Sequence, residues 1–445
     1  MVFKIGAGLL IGIMSFIFNC ALPAGNFACA EEGAKTGDGE AIILADFKRC
    51  TKLAVRQSPY LTESEIEIDI RRLMERESRG SFIPSINVRT IKYLEEDEDE
   101  PMLLTFSTGG YNPLAPFLSL KASKLITRIA ILAHLQGISK GIHELARKFL
   151  LLNFLGGVKA RQDKMVAFAQ QKLAFCKKRH AEGFASLLEV QIAAQELDVT
   201  RAEREEIFAS RALILENLHD FLGLKPGQKL HLNLREARCQ VLSHFDPAIA
   251  SLGQARAHSF ELKIQELKKQ AQKYRIYMAY SKFLPKVSFG VRDIDAFDAR
   301  KIEKDEDYYI NIGVELNLWN GFKEVNDVSR QKMVLRKYKN EMRLKEDKVD
   351  ILWSKAQRGL KKAKVALKLA QSNVELTRLK KYQSEIRYKT NGESLPTLLN
   401  NRIAHLNFQK KALAMNRDHD LSVLTIRHLS GDLFNTFVDK ASWKE

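Results

Sequence analysis

Residues 283–289 read FLPKVSF, and residues 82–88 read FIPSINV. In each phrase an aromatic residue, a branched apolar residue and a proline precede an alternation of polar and apolar residues. Pro84 and Pro285 stand 201 positions apart. A proline cannot continue a helix interior, because it lacks the N–H and its ring clashes with the preceding turn. Alternation with period two marks a strand with one apolar face. Each phrase therefore marks a switch from helix to strand, and the chain contains two.

The duplication extends outward from these phrases. Ser58-Pro59-Tyr60-Leu61 precedes Pro84 by the same interval that separates Ser259-Phe260-Glu261-Leu262 from Pro285. Downstream, GFASLLEV (183–190) is answered by GESLPTLL (392–399), and the closing Asp220-Phe221-Leu222-Gly223 by Arg427-His428-Leu429-Ser430-Gly431. Landmarks in one order at near-equal spacing predict two tandem repeats of about 200 residues, far longer than a solenoid unit. The repeats are assigned to residues 31–240 and 241–435, after a leader over 1–30 and before a tail over 436–445. In the first, strands are expected over about 82–93 and 102–108, and helices over about 117–182 and 184–222. In the second, the strands are 285–294 and 308–319, and the helices 324–388 and 397–429.

Residues 324–388 hold no proline and one glycine, and Leu360, Ala363, Leu367, Ala370 and Val374 recur three and four apart. That is a coiled-coil seam, continued by Leu399, Ile403, Leu406 and Leu413. A helix of this length is about 98 Å long, too long for a globular core. Its counterpart carries Gly137, Gly141, Gly156 and Gly157, and a bend or break is expected at Gly156-Gly157. In the strands, Val287, Phe289 and Val291 alternate with polar residues, as do Ile310, Ile312, Val314, Leu316 and Leu318. The second run is about ten residues, the length of a tilted transmembrane strand. Tyr308 and Tyr309 open it and Trp319 closes it, in the places of interfacial aromatic girdles. The first half has a weaker version in Ile86, Val88, Leu104 and Phe106, around the acidic loop 95–100. A hairpin set between long helices cannot close its own edges, and open edges are untenable in lipid. Several chains must pool their strands.

The first 30 residues read as a removable export signal: Lys4, an apolar run from Ile5 to Phe18, and the A-x-A site Ala28-Cys29-Ala30. Neither Cys20 nor Cys29 sits in a good lipidation sequence. The three remaining cysteines, Cys50, Cys176 and Cys239, form neither a disulfide framework nor a metal spacing. The formal charge is +17, and the leader contributes one lysine, leaving +16. Basic residues are spread among acids without aromatic interleaving, which reads as a basic solvated surface and argues against nucleic acid.

In order, doubling and spacing the motifs resemble the TolC-like outer-membrane efflux protein family over about residues 40–435. FIPSINV and FLPKVSF enter the strands, ELNLWNGFKEVNDVSRQK (315–332) leaves the second hairpin, GFASLLEVQIAAQ and GESLPTLLNNR form the tips, and LSG closes at 429–431. The fold class implied is an α+β membrane protein, mostly α. A homotrimer shares one transmembrane β-barrel, with four strands per chain, above a long coiled-coil tunnel. The activity implied is a passive exit duct of a tripartite efflux or type I secretion system in the outer membrane of a Gram-negative-type bacterium. Its partners would be outer-membrane lipid, a periplasmic adaptor and an inner-membrane transporter of the RND or ABC type. The resemblance assigns Gly183 and Gly392 to the adaptor-facing tip and Glu189 to a pore constriction. In the second repeat the family's acids are replaced by Leu398, Asn400 and Asn401, and only Tyr388 and Lys389 stand near its aromatic and basic gate positions. The competing reading is an exported periplasmic coiled-coil structural or interaction protein without a pore.

No catalytic or metal motif is present, and no cofactor is expected. The ten histidines are scattered, and Asp418-His419-Asp420 lies on a predicted helix where neighbours face apart. GLKPGQK (223–229) lacks the phosphate-loop spacing and reads as a helix C-cap and turn.

Overall fold

The computed structural model describes residues 43–83, 86–91, 103–108, 110–224, 230–243, 245–293, 308–316 and 321–438. The leader, Pro84, the loop 95–100, Trp319 and the last seven residues of the tail lie outside the described residues. Residues 44–226 with 230–445 form one compact unit; residues 1–43 with 227–229 form another, of which only Ile43 is described.

The element order is β1 (Ile43–Ala45), α1 (Phe47–Gln57), α2 (Pro59–Gly80), β2 (Ile86–Ile91), β3 (Leu103–Thr108), α3 (Leu114–Ala181) and α4 (Leu187–Phe221). There follow β4 (Leu230–Leu232), α5 (Leu234–Leu242), α6 (Leu252–His258), α7 (Phe260–Ser281), β5 (Lys286–Asp293), β6 (Tyr308–Glu315), α8 (Lys323–Lys389), α9 (Leu395–Leu429) and α10 (Asp432–Phe437). The molecule is mostly helical. α3 has 68 residues and α8 has 67, so each is about 100 Å long at 1.5 Å per residue. α3 packs against α2, α4, α7 and α9, and α8 against α7 and α9.

The expected break at Gly156-Gly157 does not occur, and α3 runs through it. Gly157 and Gly141 serve close approach instead, while a Cβ on Gly156 would meet open space. A Cβ on Gly157 would meet Leu413 Cδ1 of α9 at 3.2 Å, and one on Gly141 would meet the Phe221 ring of α4 at 3.2 Å. Helix propensity lost at a glycine, about 1 kcal/mol, is offset where two backbones pack closely.

The seam of α8 faces α9: Leu360, Ala363 and Ala370 are buried, as are Leu399 and Leu406 opposite. Midway along the helices the shorter elements close a second core. Phe47 of α1 meets Phe149 of α3 and Phe437 of α10 edge-on, with ring centroids 5.6 and 4.8 Å away. Trp353 packs with Ala255, Leu360, Val423 and Ile426. Arg427 is buried among these elements. It donates to Asp432 Oδ2 at 2.7 Å, to Thr436 Oγ1 at 3.2 Å and to the Val241 carbonyl, so its charge is paired and its N–H groups are satisfied.

Candidate functional site

At one end of the long helices lies a four-stranded antiparallel sheet in the order β2-β3-β5-β6. The pairing of β3 with β5 joins the two hairpins, through Leu104↔Asp293, Thr105↔Arg292, Phe106↔Val291 and Ser107↔Gly290. β5 and β6 are in register over eight residues, including Val287↔Val314 and Phe289↔Ile312. Apolar residues thus face apolar residues across strands, the arrangement that fixes register wherever one face is apolar. Positions 88, 106, 291 and 310 form one row across all four strands. Val287, Phe289, Ile312, Val314 and Leu316 are exposed, Ile312 at 70% and Val314 at 67%, while Ser288 and Gly313 on the other face are half-buried. On β5 the alternate residues Lys286, Ser288 and Gly290 are therefore more covered than Val287 and Phe289, the inverse of a soluble sheet, whereas Asn311 and Glu315 of β6 are exposed. The outer edges of β2 and β6 have no partner strand among the described residues. β6 ends at Glu315, before the expected 319, and Phe82 and Ile83 lie in a turn ahead of β2 rather than in the expected strand, whose residues 92–93 lie outside the described residues. Tyr308 and Tyr309 begin β6; Pro285 directly precedes β5.

The helices join the sheet through specific contacts. Tyr111 and Val287 exchange backbone hydrogen bonds of 2.8 and 2.9 Å. Asn112 Nδ2 donates to the Ser281 carbonyl at 2.9 Å, and Lys282 pairs with Asp327 at 2.7 Å. That lysine, with Gln331 and Arg330, holds the Asp327 carboxyl down at about 2.

At the other end are two tight helix-to-helix turns. Gly183, at φ +80, follows α3, and its N–H donates to the His180 carbonyl while that of Phe184 donates to Arg179. Asn391, at φ +58, follows α8, with matching bonds from Asn391 to Tyr388 and from Gly392 to Arg387. Both are Schellman caps, whose central residue must be left-handed; Asn tolerates that conformation. The geometric counterpart of Gly183 is therefore Asn391, and Gly392 stands one place further on. N-caps Ser186 and Ser394, and the left-handed Gly223 and Gly431, keep the same separation of 208. In this register Glu189 answers Thr397.

Glu189 is exposed at the start of α4, where its N–H is capped by Ser186 Oγ at 3.2 Å. Tyr388 and Lys389 are exposed at the end of α8. Leu398 is buried, and Asn401 Nδ2 donates to Ser384 Oγ at 3.1 Å within the α8–α9 hairpin. Asn400 belongs to a different group. Lys172 of α3 donates to Glu196 of α4 at 2.6 Å and to Asn400 Oδ1 of α9 at 3.0 Å. A second layer lies further along the same three helices. There, fully buried Gln162 donates to the Thr200 carbonyl at 2.8 Å and to Glu203 at 3.1 Å. Lys410 of α9 donates to Gln162 Oε1 at 2.6 Å and to Glu203 at 3.1 Å. Sequence reading missed both layers, since Gln162, Glu203 and Lys410 form no motif; their signal is polar character at positions where the seam should be apolar.

Among the described residues no cluster of three metal-ligating side chains exists, and no helix is long and apolar enough to cross a membrane. All three described cysteines are free; burial, with Asp46 nearby, pushes the Cys50 thiol up to about 12. Buried Asp420 is paired with Arg238 at 2.8 Å, and Asp418 with its neighbour Arg417 at 2.7 Å.

A helical shaft capped by a sheet with its apolar face outward is the fold of outer-membrane channels. The chain is similar to the Campylobacter jejuni outer membrane channel CmeC, with a TM-score of 0.73 at 14% identity, covering 89% of this chain and 88% of that one. The open state of the Neisseria gonorrhoeae outer membrane channel MtrE gives 0.66 at 9%, covering 86% and 88%. A membrane protein from Pseudomonas aeruginosa gives 0.70 at 13%, covering 90% and 98%. The likeness spans nearly the whole of each molecule, and at these identities it establishes the fold. The sequence itself matches no protein-family model and no curated protein.

Proposed function

We propose that this chain is one of three identical subunits of an outer-membrane exit duct, exported by its leader and built from two tandem repeats. The observation that carries the reading is the open four-stranded sheet. Among the described residues its apolar face is exposed and its two edges have no partner strand, and in lipid such edges are stable only when a barrel closes. Three copies would give a twelve-stranded barrel continued by twelve helices. Conduction is passive, with no enzymatic step, and the driving energy comes from an inner-membrane transporter linked by a periplasmic adaptor. The likeness to outer-membrane channels supports this assignment. A coiled-coil scaffold without a pore has no use for an outward apolar sheet.

The two helix turns form the adaptor-facing tip. The first exposes Phe184, Leu187 and Leu188 together, an apolar patch suited to a partner helix. The closed state is held less by acids at the turns than by the Lys172–Glu196–Asn400 and Gln162–Glu203–Lys410 layers, which tie α9 to α3 and α4.

Fractionation of cells expressing the full chain, followed by crosslinking, tests the assignment. Recovery in the outer membrane as a three-chain species is expected, and a soluble single chain would contradict it. Gly183→Asp or Gly392→Asp should abolish export while leaving the assembly intact; normal export in both would remove the tip from the account.

A further inference from the structure

Positive charge is rich where the helices meet the sheet, as it is also along α8 over 355–368, which carries six Lys or Arg and no acid. Four helices meet the sheet, and fifteen residues of helix reach about 22 Å. Over that reach α7 (268–282) carries five Lys or Arg and no acid, and α3 (114–128) carries three and none. α8 (323–337) carries five against two acids, and the last fifteen residues of α2 (66–80) carry four against four. The junction thus holds seventeen basic and six acidic residues. By contrast α4, which starts from the distant turn, carries three basic and eight acidic residues over 187–221.

Helix dipoles do not account for this. Cations are favoured at the C-terminal ends that α2 and α7 present to the sheet, but acids are favoured at the N-terminal ends of α3 and α8. Yet α3 has no acid before Glu144. Apolar surface accompanies the charge. Tyr277, Tyr280, Phe283 and Leu284 are exposed beside the sheet, and a cavity of about 360 Å³ opens between Leu114, Leu118, Tyr277, Tyr280 and Leu284. Two lysines lie over rings at its rim, Lys121 over Phe117 and Lys332 over Tyr280, each 5.4 Å from the centroid.

We propose that this collar binds anionic phospholipid in the leaflet from which the helices emerge. Its lysines and arginines meet the phosphates, and the Tyr277–Tyr280 cavity takes the start of an acyl chain. Basic residues at a membrane surface attract acidic headgroups, and tyrosines favour the same interface. The proposal rests on the reading that the sheet lies in a membrane.

The full chain would be reconstituted into nanodiscs of phosphatidylethanolamine with phosphatidylglycerol, and the lipids retained on gentle extraction counted by native mass spectrometry. Phosphatidylglycerol should be enriched by about fivefold or more over its share of the bilayer. The enrichment should fall as salt rises from about 0.1 to 1 M. It should be lost when Lys121, Lys124, Lys273 and Lys323 are changed to Gln, and kept when Lys361, Lys362, Lys364 and Lys368 are changed instead. Insertion of the unaltered chain without enrichment, or equal loss in both variants, overturns the collar alone. Failure to enter either lipid overturns the duct reading, and the collar with it.

Discussion

Glycine at φ near +80 does two different jobs in this chain. At Gly183 a Cβ would meet open space, whereas at Gly431 it would lie 2.6 Å from the His258 side chain. Gly183→Ala should therefore cost only the left-handed backbone term, about 1 kcal/mol. Gly431→Ala should cost more than twice that in urea unfolding followed by circular dichroism. Equal costs would mean the contact with His258 is unimportant. His428, stacked on His143 with centroids 4.5 Å apart, gives a pH signature. Burial, with His143 and Lys140 adding repulsion, pulls its pKa down to about 3. Burial lowers His143 too, although Glu144 opposes it. The unfolded chain binds this proton below about 6.5 and the folded chain does not until about 3, so stability is full above 6.5 and declines as pH falls through that window. His428→Phe should flatten the decline in melting temperature between pH 7 and 4.5; an unchanged slope would assign the effect elsewhere.

At the scale of elements, the three-helix contact of α3, α4 and α9 is apolar at Val166, Ala169 and Leu197 and polar in the two layers beside them. Lys410→Met leaves the Glu203 carboxylate and the Gln162 carbonyl oxygen without their shared donor, a loss of about 1–3 kcal/mol. Hydrogen exchange should then speed up roughly tenfold along α9 near residue 410 while α8 near Gly359 is unchanged. If exchange stays the same, the layers do not restrain α9. Much of this level was legible in the sequence. Period and caps located the long helices to within a few residues, and the phrase around Pro285 located β5. The failures share one cause. Gly156-Gly157 read as a break because propensity is local, while the closeness of Leu413 is a tertiary fact. The tip glycines were paired one place out of register, because spelling aligns Gly with Gly whereas the Schellman cap aligns Gly183 with Asn391. Arg427 and Gln162 could not be singled out, since a buried polar group is known only by its partners.

For the whole molecule, the exposed apolar face of β5 and β6 is the central fact. A single chain leaves Ile312 and Val314 bare and, among the described residues, the edges of β2 and β6 open; the proposed assembly removes both costs at once with lipid and further copies of the chain. In that proposal, pairing β6 of one copy with β2 of the next would close the ring, and the four strands of each chain would set the size of the barrel. The most direct measurement is the mass of the assembly extracted from outer membranes, taken by native mass spectrometry at low collision energy. The account predicts three chains per particle, with cysteine pairs scanned along β2 and β6 crosslinking between copies rather than within one. A single chain, or a particle of two or four chains, would contradict it.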